Sequence, residues 1–345
     1  MKRGARRSAS ARTRCREILG AKARELLVEV RNLLHSSFAM NVSLSAPGPL
    51  DVASTLSRYR RWGEDPVNRL EDGRFRRALQ VEGRWHAYDL TWTDDADPAQ
   101  LTIAVPGTRS RRVVDAAVAE ARHVLGLDLD VMAFYRAAAA DPVLTGLIPR
   151  LRGLRPTLSP RPFEMLVGSV CAQQVNLAFA FTVRARLVRR FGVPVEVAGA
   201  AVYAFPEPAA LARAAVEELR AMQFTVRKSE YIIGLAQEVA ASRLDLDALG
   251  RRSNEEVIET LTRVRGFGRW TAEWFLARGL GRGDVCPAGD LAVRRAFEHF
   301  YNRGRALSEP AIRRRASRWG EHQNMAIHYL LAGQRLAAPS TGGGA

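Results

Sequence analysis

The strongest constraint on the fold is a change of hydrophobic period along the chain. In RFRRALQVEGRWHAYDLTWT and AQLTIAVPG, within residues 74–107, apolar residues nearly alternate, and the runs meet Glu-Gly and Pro-Gly turn signals. That pattern predicts a small antiparallel sheet. From residue 128 to 336 the period is helical almost without interruption. PEPAALARAAVEELRAM, RKSEYIIGLAQEVAAS, NEEVIETLTRV, RWTAEWFLARGL and DLAVRRAFEHFY follow one another across short connections, so these helices must pack as one compact bundle. PFEMLVGSVCAQQVNLAFAFTVRARLVRRFG, residues 162–192, reads as one or two long helices ended by Gly192. The expected fold is mainly α with a smaller α+β N-terminal domain.

Four segments follow from this pattern. Residues 1–45 form a basic, flexible extension, with a short amphipathic helix candidate at 21–35. Residues 46–127 form the α+β domain, with helices near 51–60 and 112–126. Residues 128–336 form the helical domain, and residues 337–345 a disordered tail rich in glycine.

Charge narrows the function. The 345 residues carry a formal net charge of +16 with a pI near 10.9. Such a surplus calls for an anionic partner, nucleic acid before membrane. No apolar run reaches the roughly 18 residues of a membrane span, and the basic N-terminus lacks the apolar stretch of a signal peptide. Cys15, Cys171 and Cys286 are odd in number and far apart, which gives neither a disulfide framework nor a paired metal knuckle. A reducing, cytoplasmic setting is the expectation.

Residues 254–280 read as helix, four-residue turn, helix: NEEVIETLTRV, RGFG, RWTAEWFLARG. Asn254 is a candidate cap for the first helix. Gly266 and Gly268 permit positive φ and close backbone approach. Gly268 precedes the second helix, whose free N–H groups form a phosphate site. Arg265, Gly266, Gly268, Arg269 and Thr271 are the candidate phosphate contacts, and Phe267 is placed to fill the space between the helices. An ordinary tight helical corner has the same outline; the charge and the flanking arginines favour DNA. Downstream, GDVCPAGDLAVRRAF brings Asp290 to the start of another helix. A plain N-cap is one reading of it. A short loop also folds it back to the mouth of the hairpin, where a carboxylate beside DNA phosphates suits chemistry on a sugar.

The block LTRVRGFGRWTAEWFLARGLGRGDVCPAGDLAVRRAF, residues 261–297, resembles the helix-hairpin-helix (HhH-GPD) DNA glycosylases, most closely the bacterial DNA-3-methyladenine glycosylase II group. The resemblance extends from Pro162 to Tyr301 and, more weakly, to the sheet region. It implies a DNA glycosylase fold and a monomer that acts on double-stranded DNA, flips out an alkylated purine and hydrolyses its glycosidic bond. Asp290 takes the position of the catalytic aspartate. Trp270 stands where strand-cleaving relatives keep a nucleophilic lysine, and residues 251–300 contain none, which implies a monofunctional enzyme. Trp270 and Trp274, four apart on one helical face as core residues would also be, become walls of the base pocket, with Tyr59 and Trp62 opposite. Gln174, beside Gln173, fills the gap left by the extruded base. The carbonyls of Thr262, Val264 and Phe267 match a monovalent-cation site of relatives. No cysteine follows Cys286, so no iron–sulfur cluster is expected, and His322 and Gln323 depart from the family's last helix. Two alternatives stay open: a glycosylase for another lesion, and a DNA-binding module without catalysis.

Overall fold

The computed structural model describes residues 39–71, 73–93, 99–197 and 200–337. The helix candidate at 21–35, Cys15 and residues 338–345 lie outside them. The N-terminal layer is a five-stranded antiparallel sheet in the order β1-β5-β4-β3-β2. Its strands are β1 (Ala39–Ser45), β2 (Arg69–Glu71), β3 (Arg74–Val81), β4 (Arg84–Thr93) and β5 (Gln100–Pro106). Two short helices, α1 (Val52–Leu56) and α2 (Arg58–Arg61), precede β2, and α3 (Arg111–Val124) follows β5. Helix α3 buries Val113, Val114, Ala117, Ala121 and Val124, one helical stripe, against Phe75, Leu79, Leu90 and Ile103 of the sheet.

The boundary at residue 46 is set too late. Strand β1 lies inside the segment assigned to the extension and pairs with β5 from Ala39 opposite Pro106 to Ser45 opposite Gln100. Its burial alternates along its length, because Met40, Val42 and Leu44 turn to the sheet core.

The helical body comprises α4 (Val131–Ala138), α5 (Pro142–Leu147), α6 (Pro162–Ala172), α7 (Leu177–Phe191), α8 (Pro208–Ala212), α9 (Val216–Ala221), α10 (Val226–Ala240), α11 (Asn254–Thr262), α12 (Arg269–Trp274), α13 (Leu291–Tyr301), α14 (Glu309–Ala316) and α15 (Gln323–Ala337). One core unites them, with Leu166, Leu187, Ile232, Leu261, Phe275 and Phe297 wholly or almost wholly buried. The near-continuous helix expected after residue 128 is interrupted by a hairpin, β6 (Val193–Val197) with β7 (Ala200–Ala204). Ala78, Ala87, Val202 and Ala204 form a small core between this hairpin and the sheet. That second cover explains why β3 is buried on both faces.

A buried ionic chain joins the sheet to the body. Arg184 of α7 meets Asp65 at 2.7 Å and Glu164 of α6 at 2.6 Å; Arg77 of β3 meets Glu164 at 2.5 Å and Glu120 of α3 at 2.8 Å. Burial by itself would raise the Glu164 pKa, but the Arg77 and Arg184 guanidinium groups outweigh it and bring it down to about 2. Removing one member strands the others in the interior, at about 3–5 kcal/mol.

Candidate active site at the mouth of the hairpin

Helix α11 begins with a reciprocal cap: the Ser253 hydroxyl accepts the Glu256 N–H at 3.2 Å, and Glu256 accepts the Ser253 N–H at 2.8 Å. Ser253 is therefore the cap, not Asn254. Asn254 is already helical, and its amide bonds Asp284 and Arg282. Serine keeps the reciprocal geometry with a glutamate three residues on, which is why it wins the cap.

The two glycines of the turn answer different demands. Gly266 has φ +90°, and a Cβ there would lie 2.3 Å from the Tyr231 ring. Gly268 is extended, with φ −117° and ψ −179°, and a Cβ there would meet nothing within 4 Å. Phe267 is buried in the common core, as expected. Arg265 is exposed, pairs with Glu230 at 2.7 Å and stacks over Tyr231. Arg269 pairs with Glu273 at 2.8 Å, and Arg313 reaches the same carboxylate at 2.7 Å. Arg313 also pairs with Glu309 at 2.6 Å, so the two guanidinium groups and the two carboxylates form one chain of ion pairs beside the turn. Thr271 is 1% exposed, so its hydroxyl does not face a phosphate; it sits on the inner side of α12 and fills the core.

Helix α12 runs on through a π turn, Phe275–Gly279. Trp270 and Trp274 share one face of it, and that face meets Asp290. The Trp270 indole N–H donates to Asp290 Oδ2 at 2.7 Å, and the Trp274 indole N–H donates to the same oxygen at 3.1 Å. The other oxygen, Oδ1, accepts the N–H groups of Ala292 at 2.8 Å and Val293 at 3.0 Å, which caps α13. Asp290 is thus the N-cap of α13 and at the same time lies against the second helix of the hairpin. Trp274 is nearly buried. Arg278 stacks over its ring at 5.3 Å, and His328 meets it edge-on at 6.1 Å. His328 Nδ1 lies 2.8 Å from the Asn324 carbonyl, which can only accept, and Nε2 lies 3.1 Å from Arg278 Nη2, which can only donate. A neutral ring that donates from Nδ1 and accepts at Nε2 satisfies both contacts. Burial pushes the His328 pKa down to about 4.

Tyr59 is not part of this cluster. It belongs to the sheet core, stacked on Phe75 at 5.6 Å, because the two short helices turn their apolar face to the sheet. Trp62 stands at the C-cap of α2, half-buried. His322 approaches Phe134, and the Gln323 amide donates to the carbonyls of Asp284 and Gly320. Cys171 and Cys286 are buried, and burial pushes their thiols up to about 11 and about 12, which leaves them unreactive. Among the described residues no cluster of His, Cys, Asp or Glu suits a metal ion. The proposed cation ligands are backbone carbonyls. Val264 O already accepts the Phe267 N–H at 3.0 Å, and its second lone pair remains for a cation.

Opposite the hairpin, α6 ends at Ala172 and α7 starts at Leu177, capped by Asn176. The intervening loop holds Gln174 at φ +56°, a left-handed conformation that costs a non-glycine residue about 1 kcal/mol. Gln173 points away from the loop tip and donates to Gly266 O at 2.9 Å. Three apolar side chains that the sequence reading missed stand exposed around this loop: Val175 at 37%, Leu177 at 42% and Val226 at 44%. Their sign in the sequence is an apolar residue at an exposed helix start or turn, beside glutamines. A cavity of about 430 Å³ opens here among Gln174, Val175, Phe179, Thr225, Arg227 and Lys228. Lys228, the one lysine among the described residues, donates to the Cys171 carbonyl at 3.0 Å.

A two-part helical body on an antiparallel sheet, with a glycine hairpin facing a capped aspartate, defines a helix-hairpin-helix DNA repair protein. The chain belongs to the HhH-GPD superfamily of base excision DNA repair proteins, which it matches over residues 167–322. It is 34% identical over 204 residues to a DNA-3-methyladenine glycosylase of Bacillus subtilis, covering 59% of this chain and 67% of that one. It is 30% identical over 266 residues to a probable bifunctional transcriptional activator/DNA repair enzyme of Mycobacterium tuberculosis, 76% of this chain but 50% of that one. Among solved structures it resembles the 3-methyladenine DNA-glycosylase of Archaeoglobus fulgidus, with TM-score 0.77, 30% identity, and coverage of 86% of this chain and 98% of that one. It also resembles a Schizosaccharomyces pombe 3-methyladenine DNA glycosylase in complex with abasic DNA, with TM-score 0.53, 26% identity, and coverage of 60% and 98%.

Proposed function

We propose that this chain is a monofunctional DNA glycosylase that extrudes an alkylated purine from duplex DNA, hydrolyses its N-glycosidic bond and leaves an abasic site. The observation that carries this reading is the Asp290 carboxylate, held by two indole N–H groups and two helix N–H groups at the mouth of the hairpin. Lesion-strand phosphates dock on the turn around Gly268, with Arg265 and Arg269 beside them. The loop around Gln174, flanked by Val175, fills the stack where the base has left, at an unstacking cost of a few kcal/mol that damage lowers.

Chemistry follows from the fixed carboxylate. As the C1′–N bond breaks, its electron pair leaves with the base and positive charge develops on C1′ and O4′. Asp290 stabilises that charge. Water oxygen then bonds to C1′ and releases its proton to solvent or to the departing base. A carboxylate offers about four lone-pair positions, and Asp290 already accepts four N–H donors. It therefore acts by its charge and not by taking the proton from water. Trp270 and Trp274 act on Asp290 through their indole N–H groups, and Lys228, the one lysine among the described residues, is committed to Cys171 O, so among the described residues a Schiff-base step has no free lysine amine to use. A monovalent cation held by the carbonyls of Thr262, Val264 and Phe267 would add positive charge under a docked phosphate.

The test is incubation with N-methylated duplex DNA. Free 3-methyladenine should appear, and strand breaks should appear only after alkali. Breaks without alkali would contradict the monofunctional reading, and no released base from any alkylated duplex would overturn the activity.

A further inference from the structure

Gln173 and Gln174 are neighbours with opposite orientations. Gln174 stands at the loop tip in a left-handed conformation, whereas Gln173 reaches across 93 residues of sequence to the hairpin, where its Nε2 donates to Gly266 O at 2.9 Å. The carbonyl it holds belongs to the peptide that links Gly266 to Phe267. Phe267 N–H in turn donates to Val264 O at 3.0 Å. Both ends of this link are rigid. Gly266 is pressed on the Tyr231 ring, and Phe267 is anchored in the core. On the other side, Gln173 N–H bonds Val170 O, and Lys228 fixes the Cys171 carbonyl at 3.0 Å. We propose that Gln173 is a positioning residue that couples phosphate docking at the hairpin to insertion of the wedge loop. On this basis the hairpin and the loop form a single jaw, and a phosphate seated on the turn sets the depth to which Gln174 and Val175 enter the stack. This inference rests on the glycosylase reading above.

The chemistry of the link gives the test. The acceptor is a neutral carbonyl, so the link needs a donor at residue 173 and nothing more. A neutral hydrogen bond contributes about 1 kcal/mol, which corresponds to a fivefold to tenfold change in rate. Q173A should excise a paired alkylated purine about fivefold to tenfold more slowly in single turnover with saturating protein. It should match the wild type on the same lesion placed opposite an abasic analogue, where extrusion is already easy. Affinity for undamaged duplex should stay within about twofold, because the phosphate contacts persist. Q173K restores a donor and should recover most of the rate on the paired lesion; Q173E sets a carboxylate against the carbonyl and should not. Thermal melts of each variant identify any loss of fold. An equal loss on both substrates, or no loss on either, overturns the proposal. If the wild type itself released no base, the activity reading would fail instead. The fluorescence of 2-aminopurine at the target position would then still decide the coupling, since Q173A should raise it less than the wild type does.

Discussion

Replacing Asp290 by asparagine separates its two oxygens. The Coulomb attraction between a carboxylate and a sugar cation about 4 Å away is about 4 kcal/mol at an effective dielectric near 20. Losing it should slow base release by about three decades. Stability should change for a different reason. Asparagine caps helices as well as aspartate does, but its side chain has one acceptor oxygen and one NH2 group. If the oxygen keeps the N–H groups of Ala292 and Val293, the NH2 faces both indole N–H groups. If it turns round, the helix loses its cap. Either way two donors lose their acceptor. A buried unmatched donor costs about 1–3 kcal/mol, and Trp270 is reached by water, so the total should stay in that range. The assays are single-turnover release of methylated purine and a thermal melt of the free protein, which should fall by a few degrees. Excision within tenfold of the wild type would refute the electrostatic role. An unchanged melting temperature would refute the account of the indole bonds.

The glycines of the turn should part company. G266A forces a Cβ onto Tyr231 at positive φ and should destabilise the fold by about 1–3 kcal/mol, read by denaturant unfolding. G268A meets open space at an extended φ, so the melt should not move while DNA affinity falls severalfold in a binding titration; unchanged affinity would remove the phosphate from this glycine. Acid should weaken the protein in two stages. His328, held at about 4 by burial against an ordinary 6.5, contributes fully above pH 6.5. That contribution is lost as pH falls from 6.5 to about 4, because the unfolded chain takes up the proton first. Glu164, at about 2 against 4.5, contributes above pH 4.5 and is lost from there down to about 2. Denaturation midpoints across this range should fall in the wild type and flatten between pH 6.5 and 4 in His328→Asn.

Periodicity made most of the fold legible, and its failures are local. Met40, Val42 and Leu44 alternate as clearly as β5 does, yet SAPGPL after them reads as the end of a tail. Only the pairing with β5 gives the segment its place. VPVEV and AAVYA are short, and propensity alone does not outweigh the helices on either side. What makes them strands is the free face of the sheet, where Arg76 donates to Val197 O and Arg69 to Ala201 O. Tyr59 stacks on Phe75 in the sheet core, and no local pattern places it relative to Asp290, because that depends on how the sheet docks against the body. That docking rests on Asp65, Glu164, Arg77 and Arg184, four charges spread over 120 positions with no common spacing.

At the site, residue types were legible and their directions were not. The tryptophans could be named from their spacing as one face, but a face can present a ring or an N–H. The sequence reading chose the ring. In the folded chain the N–H groups of both indoles converge on Asp290 Oδ2, which ties the two rings to the carboxylate. The structural and catalytic readings of Asp290 are likewise no longer rivals. Oδ1 supplies the cap, and the cap fixes the torsions of the side chain. Those torsions, together with the indoles, aim Oδ2. A helix start is thus a good place for such a group: the backbone N–H groups that any helix must satisfy hold the carboxylate at no further cost in flexible side chains. It also follows that Trp270 and Trp274 should tolerate phenylalanine poorly. A phenyl ring keeps the wall and loses the donor, so base release should fall by about fivefold to tenfold for each indole removed. Wild-type rates in Trp274→Phe would return the tryptophan to the role of a wall alone.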